Sequence, residues 1–206
     1  MSAVLERVRT VRMGWSPYEA TLQAMREFTA RRGADTPDEL WLLEHPPVYT
    51  LGLAADKAHG PQAGGSIPVL QVERGGEVTY HGPGQVVLYT LVDLARRGIK
   101  VKQFVAMLEQ SIIDLLGPGA ERKQGAPGIY VGGATVAALG IRVARGCAYH
   151  GLALNVDMDL APFSAINPCG YPGLQVTQTR DLGMSGSPDA LGSKLAAILT
   201  GKLEHA

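Results

Sequence analysis

Apolar side chains at Tyr18, Leu22, Met25 and Phe28 recur at the three-to-four-residue spacing of one helix face, just after Ser16-Pro17 and ahead of Gly33. The pattern predicts a first helix, with Ser16 and Glu19 as a capping box and Pro17 at the first helical position, where its missing N–H is not needed. Val101, Phe104, Val105, Leu108, Ile112 and Leu115 make a second stripe that stops at Gly117-Pro118-Gly119, which predicts a helix over 101–116. A third helix begins at Ser187-Pro188 and turns Leu191, Leu195, Ile198 and Leu199 inward.

Between these stripes lie short extended segments at 40–43, 48–51, 69–72, 86–92, 129–131, 135–143 and 152–156. Several are apolar throughout, as strands covered on both faces are. The strands come in runs with few helices between them, so the expected fold class is α+β, a mixed sheet packed with helices, and not a regular βαβ alternation. The polar loop at 59–66 is too short to divide the chain, and no internal repeat occurs. Residues 1–206 are therefore expected to form a single domain with a proper core.

Nineteen basic and nineteen acidic residues cancel, which leaves no net field to hold nucleic acid or an anionic membrane. Glu6, Arg7, Arg9 and Arg12 interrupt the N-terminal stretch, unlike a secretory signal, and the longest apolar run, Val86 to Val92, is too short to span a bilayer. A cytoplasmic location is expected, where Cys147 and Cys169 would stay as free thiols. Neither cysteine has the spacing of a zinc site, so no metal is expected. No apolar stripe is left over once the helices pack, which points to a monomer.

Three segments could carry chemistry. In Arg74-Gly75-Gly76-Glu77-Val78-Thr79-Tyr80-His81-Gly82-Pro83-Gly84-Gln85, glycines surround an Arg, a Tyr and a His ahead of a buried strand. Glycine lets backbone approach a ligand, although a tight hairpin with incidental polar residues reads equally well. The segment has neither the ending of a phosphate loop nor the order of a dinucleotide fingerprint. In Arg145-Gly146-Cys147-Ala148-Tyr149-His150-Gly151, Cys147 reads best as a small buried side chain, and His150 as either a satisfied structural residue or a base. In Asn167-Pro168-Cys169-Gly170 a thiol sits between a proline and a glycine, in a turn accessible enough for a nucleophile.

Taken together and in this order, RGGEVTYHGPGQ, LGIRVARGCAYHGLALNV and FSAINPCG resemble the octanoyltransferase family, related in fold to lipoate and biotin protein ligases. The resemblance implies a two-step transfer in which Cys169 takes an octanoyl group from octanoyl-acyl carrier protein as a thioester and passes it to a lysine of a lipoyl domain. The acceptors it implies are the lipoyl domains of 2-oxoacid dehydrogenases and the glycine cleavage H protein. It also implies an acyl-chain site lined by Arg74, Gly75, Gly76, Glu77, Val78, Thr79, Tyr80 and His81, by Ala138, Leu139 and Gly140, and by Gly151, Leu152 and Ala153. Glycines and small apolar residues would leave room for an alkyl chain, worth about 0.8 kcal/mol per buried CH₂. Nothing in the implied mechanism uses ATP, another cofactor or a metal.

One position departs from the family. Its lysine, whose ammonium would lower the pKa of the thiol and shuttle the proton, is replaced here by Thr135, with Ala134 beside it. A hydroxyl can donate a hydrogen bond but carries no charge at neutral pH. General acid–base assistance is worth a factor of about 10² to 10⁴, so a slow or impaired enzyme is expected unless His81, His150 or a lysine such as Lys123 takes over. Three other functions compete: an ATP-dependent lipoate-protein ligase, a Cys/His hydrolase with Asp157 as orienter, and a non-catalytic binder of acyl groups or lipoyl domains.

Overall fold

A computed structural model of the chain describes residues 8–61, 65–167 and 173–206. The chain runs β1 (Val8–Trp15), α1 (Tyr18–Arg31), β2 (Asp38–Glu44), β3 (Val48–Leu51), β4 (Val69–Gln71), β5 (Val78–His81), β6 (Gln85–Asp93) and the single turn α2 (Leu94–Arg97). It continues with α3 (Val101–Leu116), β7 (Ala120–Lys123), β8 (Ala126–Val131), β9 (Ala134–Ala144), β10 (Cys147–Asn155) and α4 (Pro188–Glu204). A seven-stranded sheet has the order β1-β2-β6-β10-β9-β8-β7, and a three-stranded sheet has the order β4-β3-β5. Both are mixed: β1 lies parallel to β2 and β4 parallel to β3, while the remaining pairs are antiparallel.

The large sheet is covered on both faces, which explains why β6 and β10 carry almost no alternation of polar and apolar residues. On one face Leu88, Leu152 and Leu154 meet Phe104, Leu108 and Ile112 of α3 and Leu191, Leu195 and Leu199 of α4. On the other, Val87, Tyr89 and Ala153 meet Tyr18, Leu22 and Met25 of α1. The small sheet packs Tyr49, Val78 and Tyr80 against Phe163 and Ile166, around the single helical turn Ala161–Ala165. The strands at the two ends of the large sheet are the charged ones, β1 and β7, which discourages pairing with another chain.

Details of the helix starts differ from expectation. The Ser187 hydroxyl accepts from the Ala190 amide at 3.2 Å, with Pro188 first in α4, as its pattern suggested. At α1, however, Pro17 itself is the N-cap, and the Ser16 hydroxyl donates backward to the Met13 carbonyl, so no capping box forms. Val101, counted in the α3 stripe, is the first residue of the helix and is 47% exposed. Among the described residues no helix is long and apolar enough to cross a membrane.

The carboxylate of Asp38, at the start of β2, is fully buried and draws in three arginines. Arg96 donates at 2.9 Å, Arg97 at 2.5 Å, and Arg32 also donates, while the Asp93 amide adds a fourth bond at 2.9 Å. Burial alone would raise the carboxyl pKa, but the Asp93 amide and the guanidinium groups outweigh it and hold the pKa below its ordinary value. The cluster ties α1, α2 and the ends of β2 and β6 together.

Candidate functional site

The glycine-rich segment is held down by its own arginine. Arg74 is buried and donates to the Thr50 carbonyl at 2.7 Å, the Thr50 hydroxyl at 2.9 Å, the Glu77 carbonyl at 2.7 Å and the Gly75 carbonyl at 2.9 Å. The Gly75 amide in turn donates to the Ile141 carbonyl at 2.9 Å, which docks the segment onto β9. Arg74 thus ties the small sheet to the large one, and much of its donor capacity goes to protein acceptors.

A cavity of about 410 Å³ opens between these parts. Its wall takes in residues 74–79 and His81 from the glycine-rich segment, 138–140 from β9, 150–153 from β10, and Thr135. Three stretches far apart in the chain therefore meet at one surface. Tyr80 is the exception. It packs into the small-sheet cluster, where its ring lies 5.4 Å from Tyr49 and 5.5 Å from Phe163. Gln85, Asn155 and Phe163, which belong to the three quoted motifs without being singled out within them, also line the wall, as do Tyr18, Tyr89 and Val176, which carry no signal in the sequence beyond their place in apolar stripes or strands.

The glycines do something other than clear space for an alkyl chain. A Cβ at Gly140 would stand 2.6 Å from the Gly75 oxygen, and one at Gly151 would collide with the Leu88 carbonyl. Both positions let backbone meet backbone. The cavity owes its width to Ala138, Ala153 and the docked loop instead.

Three histidines are buried beside the cavity, and all three are neutral. His45 donates from Nδ1 to the Ser16 carbonyl at 2.6 Å and accepts at Nε2 from the Tyr89 hydroxyl at 2.8 Å, a pattern that only one neutral tautomer satisfies. Burial lowers its pKa to about 4, against the opposing bond to Ser16. His81 donates from Nδ1 to Gln85 Oε1 at 2.7 Å, and burial drives its pKa well down, helped by neighbouring His45. His150 is pushed to about 3 by burial, with Glu73 pulling the other way. Neither His81 nor His150 is therefore a standing cation at neutral pH.

A run of side-chain and backbone bonds connects His81 to Thr135. Gln85 donates to Asn155 Oδ1 at 2.9 Å, Asn155 donates to the Thr177 carbonyl at 3.0 Å, and the Thr177 amide donates to the Thr135 carbonyl at 2.8 Å. The Thr135 amide also donates to the Gln175 carbonyl at 2.8 Å. Its side chain is 6% exposed, lines the cavity, and has a hydroxyl oxygen with no partner. Lys123 stands on the neighbouring hairpin with its ammonium 5.7 Å from the Tyr130 ring, and Tyr130 pairs in register with Thr135.

Cys147 is buried, and burial raises its pKa, which makes it an inert thiol. Cys169 lies outside the described residues. Of the described residues before and after it, Phe163 and Val176 line the cavity wall, and the Asn167 amide donates to the His59 carbonyl at 3.0 Å. Asp157 binds Arg180 at 2.7 Å on the surface and leaves both His150 nitrogens without a carboxylate, so the orienter that a Cys/His hydrolase would need is missing there. No cluster of His, Cys, Asp and Glu among the described residues could hold a metal ion.

Comparison with known proteins places this cavity in a family. The Lipoyl protein ligase A/B catalytic domain matches residues 17–197. An octanoyltransferase of Dechloromonas aromatica is 55% identical over 94% of this chain and 96% of its own length, and one of Thiobacillus denitrificans is 61% identical over 85% and 81%. The chain belongs to the octanoyltransferase family. Among solved structures, lipoate-protein ligase A bound with ATP superposes with a TM-score of 0.73 at 15% identity, covering 96% of this chain and 85% of that one. A bi-partite lipoate protein ligase from Thermoplasma acidophilum gives 0.76 at 13% identity, covering 96% and 84%. Biotin protein ligase from Aquifex aeolicus gives 0.55 at 8%, covering 95% and 70%. These likenesses speak for the α+β fold shared by octanoyltransferases and the two ligase groups, which is the fold class that the pattern of strands and helices indicates.

Proposed function

We propose that the chain transfers its octanoyl group in two covalent steps on Cys169. The Cys169 thiolate attacks the thioester carbonyl of octanoyl-acyl carrier protein, the bond to the carrier's sulfur breaks, and the carrier leaves as its thiolate. The lysine amine of a lipoyl domain then attacks the Cys169 thioester. An amide forms, the Cys169 sulfur is released, and the proton lost by the amine returns to it. Splitting one transfer between two large partners into two smaller steps is what covalent catalysis contributes. The observation that carries this reading is the predominantly apolar cavity, bounded by the described residues on either side of the cysteine segment. The acceptors would be the lipoyl domains of 2-oxoacid dehydrogenases and the glycine cleavage H protein, met in the cytoplasm by one monomeric domain spanning residues 1–206.

Thr135 favours a second reading, in which the acyl group is bound but passed on slowly. The hydroxyl is buried and uncharged, and both cavity histidines are neutral, so none of these groups holds a positive charge for a thiolate. Intact-mass measurement after mixing with octanoyl-acyl carrier protein, before and after adding a lipoyl domain, separates the two readings. An octanoyl adduct absent in Cys169→Ser and discharged by the lipoyl domain supports transfer. An adduct that persists supports the slow reading, and no adduct at all excludes a thioester on Cys169.

A further inference from the structure

The cavity wall carries an acid for which an alkyl chain has no use. Among the described residues that line it, only Arg74 and Glu77 bear charge, since its histidines are neutral. Arg74 donates to the Thr50, Gly75 and Glu77 carbonyls and so joins the two sheets. The Glu77 carboxylate has no part in that joint. Its side chain is 21% exposed, half-buried at a wall that is otherwise mostly apolar. A carboxylate set against an alkyl chain loses hydration and gains no partner in return.

The carboxylate is fixed by the loop that follows β3. Oε2 accepts from the Asp56 amide at 3.2 Å and from His59 Nδ1 at 3.4 Å, and no described residue donates to Oε1. The loop is itself tied to the glycine-rich segment: the Gly52 amide donates to the Glu77 carbonyl at 3.3 Å, the Leu53 amide to the Arg74 carbonyl at 2.9 Å and the Ala54 amide to the Gly76 carbonyl at 3.2 Å. The His59 carbonyl accepts the Asn167 amide at 3.0 Å, which binds the same loop to the chain two residues ahead of Cys169 in the sequence. A carboxylate held still through one oxygen is ready to take a cation on the other, in a charge-assisted hydrogen bond.

The two substrates of the transfer proposed above differ in charge at the reacting end. A thioester is neutral, whereas a lysine amine, with an ordinary pKa of about 10.4, arrives as an ammonium. We infer that Glu77 is the residue that recognises the acceptor lysine, drawing its ammonium to a wall where Thr135 presents no like charge. The inference rests on the transfer reading and names the group that selects its second substrate. Glu77 holds the ammonium and not the free amine, so its loss belongs in the half-saturation for the acceptor and not in the maximal rate.

Calorimetric titration of the intact chain with hexylammonium and with hexan-1-ol, which differ in the charge of the end group, tests this without turnover. Support is hexylammonium binding that Glu77→Gln weakens by about tenfold, the scale of one charge-assisted hydrogen bond, and that Glu77→Asp weakens less, while either variant changes hexan-1-ol binding by less than about twofold. In the octanoyl-loaded chain, Glu77→Gln should raise the lipoyl-domain concentration for half-maximal discharge by a similar factor; where discharge is too slow to follow, the titration decides alone. Binding of hexan-1-ol without hexylammonium, equal weakening of both probes by Glu77→Gln, no weakening of the ammonium, or a lower maximal rate at unchanged half-saturation overturns the inference. Failure of both probes to bind, or of the chain to load with octanoate, would instead overturn the reading of the cavity beneath it.

Discussion

Lowering the pH from 7 to 5 should strip stability from this fold through its buried histidines. In the unfolded chain each imidazole titrates near its ordinary value of about 6.5, whereas His45 is held to about 4 and His150 to about 3 in the folded state. A depressed folded pKa means that the unfolded chain binds more protons over this window. The contribution is therefore fully present above about pH 6.5 and declines as pH falls toward 4. Between pH 7 and 5 each of these two rings costs about 2 kcal/mol, or about 4 kcal/mol together. His81 adds in the same direction. Glu73, held to about 2 by its bond to Arg26 in spite of burial, and Asp38, also lowered, lose their share only below about pH 4.5 and barely enter.

The loss is a large part of the 5–15 kcal/mol that a native domain holds in total. Urea unfolding followed by circular dichroism at the two pH values measures it. The control is His45→Gln, which replaces a titrating ring with an amide able to keep one of the two bonds to Ser16 and Tyr89. The variant should be less stable at pH 7 yet lose about 2 kcal/mol less on acidification. An identical pH loss in the variant, or stability that rises as pH falls, would refute the assignment of these rings as buried and neutral.

Three further outcomes are expected. Asp38→Asn removes the one carboxylate facing Arg32, Arg96 and Arg97 and should cost about 3–5 kcal/mol by leaving buried charges uncompensated, read as a shift in urea midpoint with no change in the cavity's affinity for octanoate. Gly140→Ala forces a methyl against the Gly75 oxygen and the Arg74 side chain, and should both destabilise by about 1–3 kcal/mol and weaken octanoate binding, because the loop it displaces is a cavity wall. Thr135→Lys places an ammonium where the sequence resemblance implies one and should speed single-turnover discharge to a lipoyl domain by about 10² to 10⁴, with no gain counting against a missing cation as the defect.

Periodicity gave α3 to the residue, placed α1 within a residue or two and gave the start of α4, because each helix buries one stripe against one sheet face and little else competes. It missed the strands whose order comes from the tertiary context. The segment that became β1 alternates, but its arginines and threonine mask it, and it is a strand only because β2 offers a parallel edge. The segment of β5 looked like a glycine-rich loop, since its four residues gain order by pairing with β3 and from the Arg74 clamp. The β10 strand starts five residues earlier than its apolar run, and the left-handed backbone of His150 in its middle is nothing that residue types announce.

The same contrast holds inside the cavity. Glycine-rich and small-residue segments pointed to where the wall is, since the residue types that let backbones approach are visible in the sequence, but they pointed to the wrong reason at Gly140 and Gly151, which serve backbone packing. The aromatic wall was invisible because Tyr18 is one member of an ordinary helical stripe, and only the fold brings its ring to the cavity, stacked 5.8 Å from His81. Thr135 shows the opposite case. Its lack of charge is evident from the sequence, and the structure sharpens the consequence: the hydroxyl is buried and unpartnered, the nearby histidines are neutral, and on the adjoining hairpin the Lys123 ammonium rests over the ring paired with Thr135. If transfer proves fast in the unmodified chain, a Lys123→Gln variant should slow it by about 10² or more, and Lys123→Gln combined with Thr135→Lys should restore it. A fast Lys123→Gln variant would mean that the thiol is activated without the Lys123 ammonium.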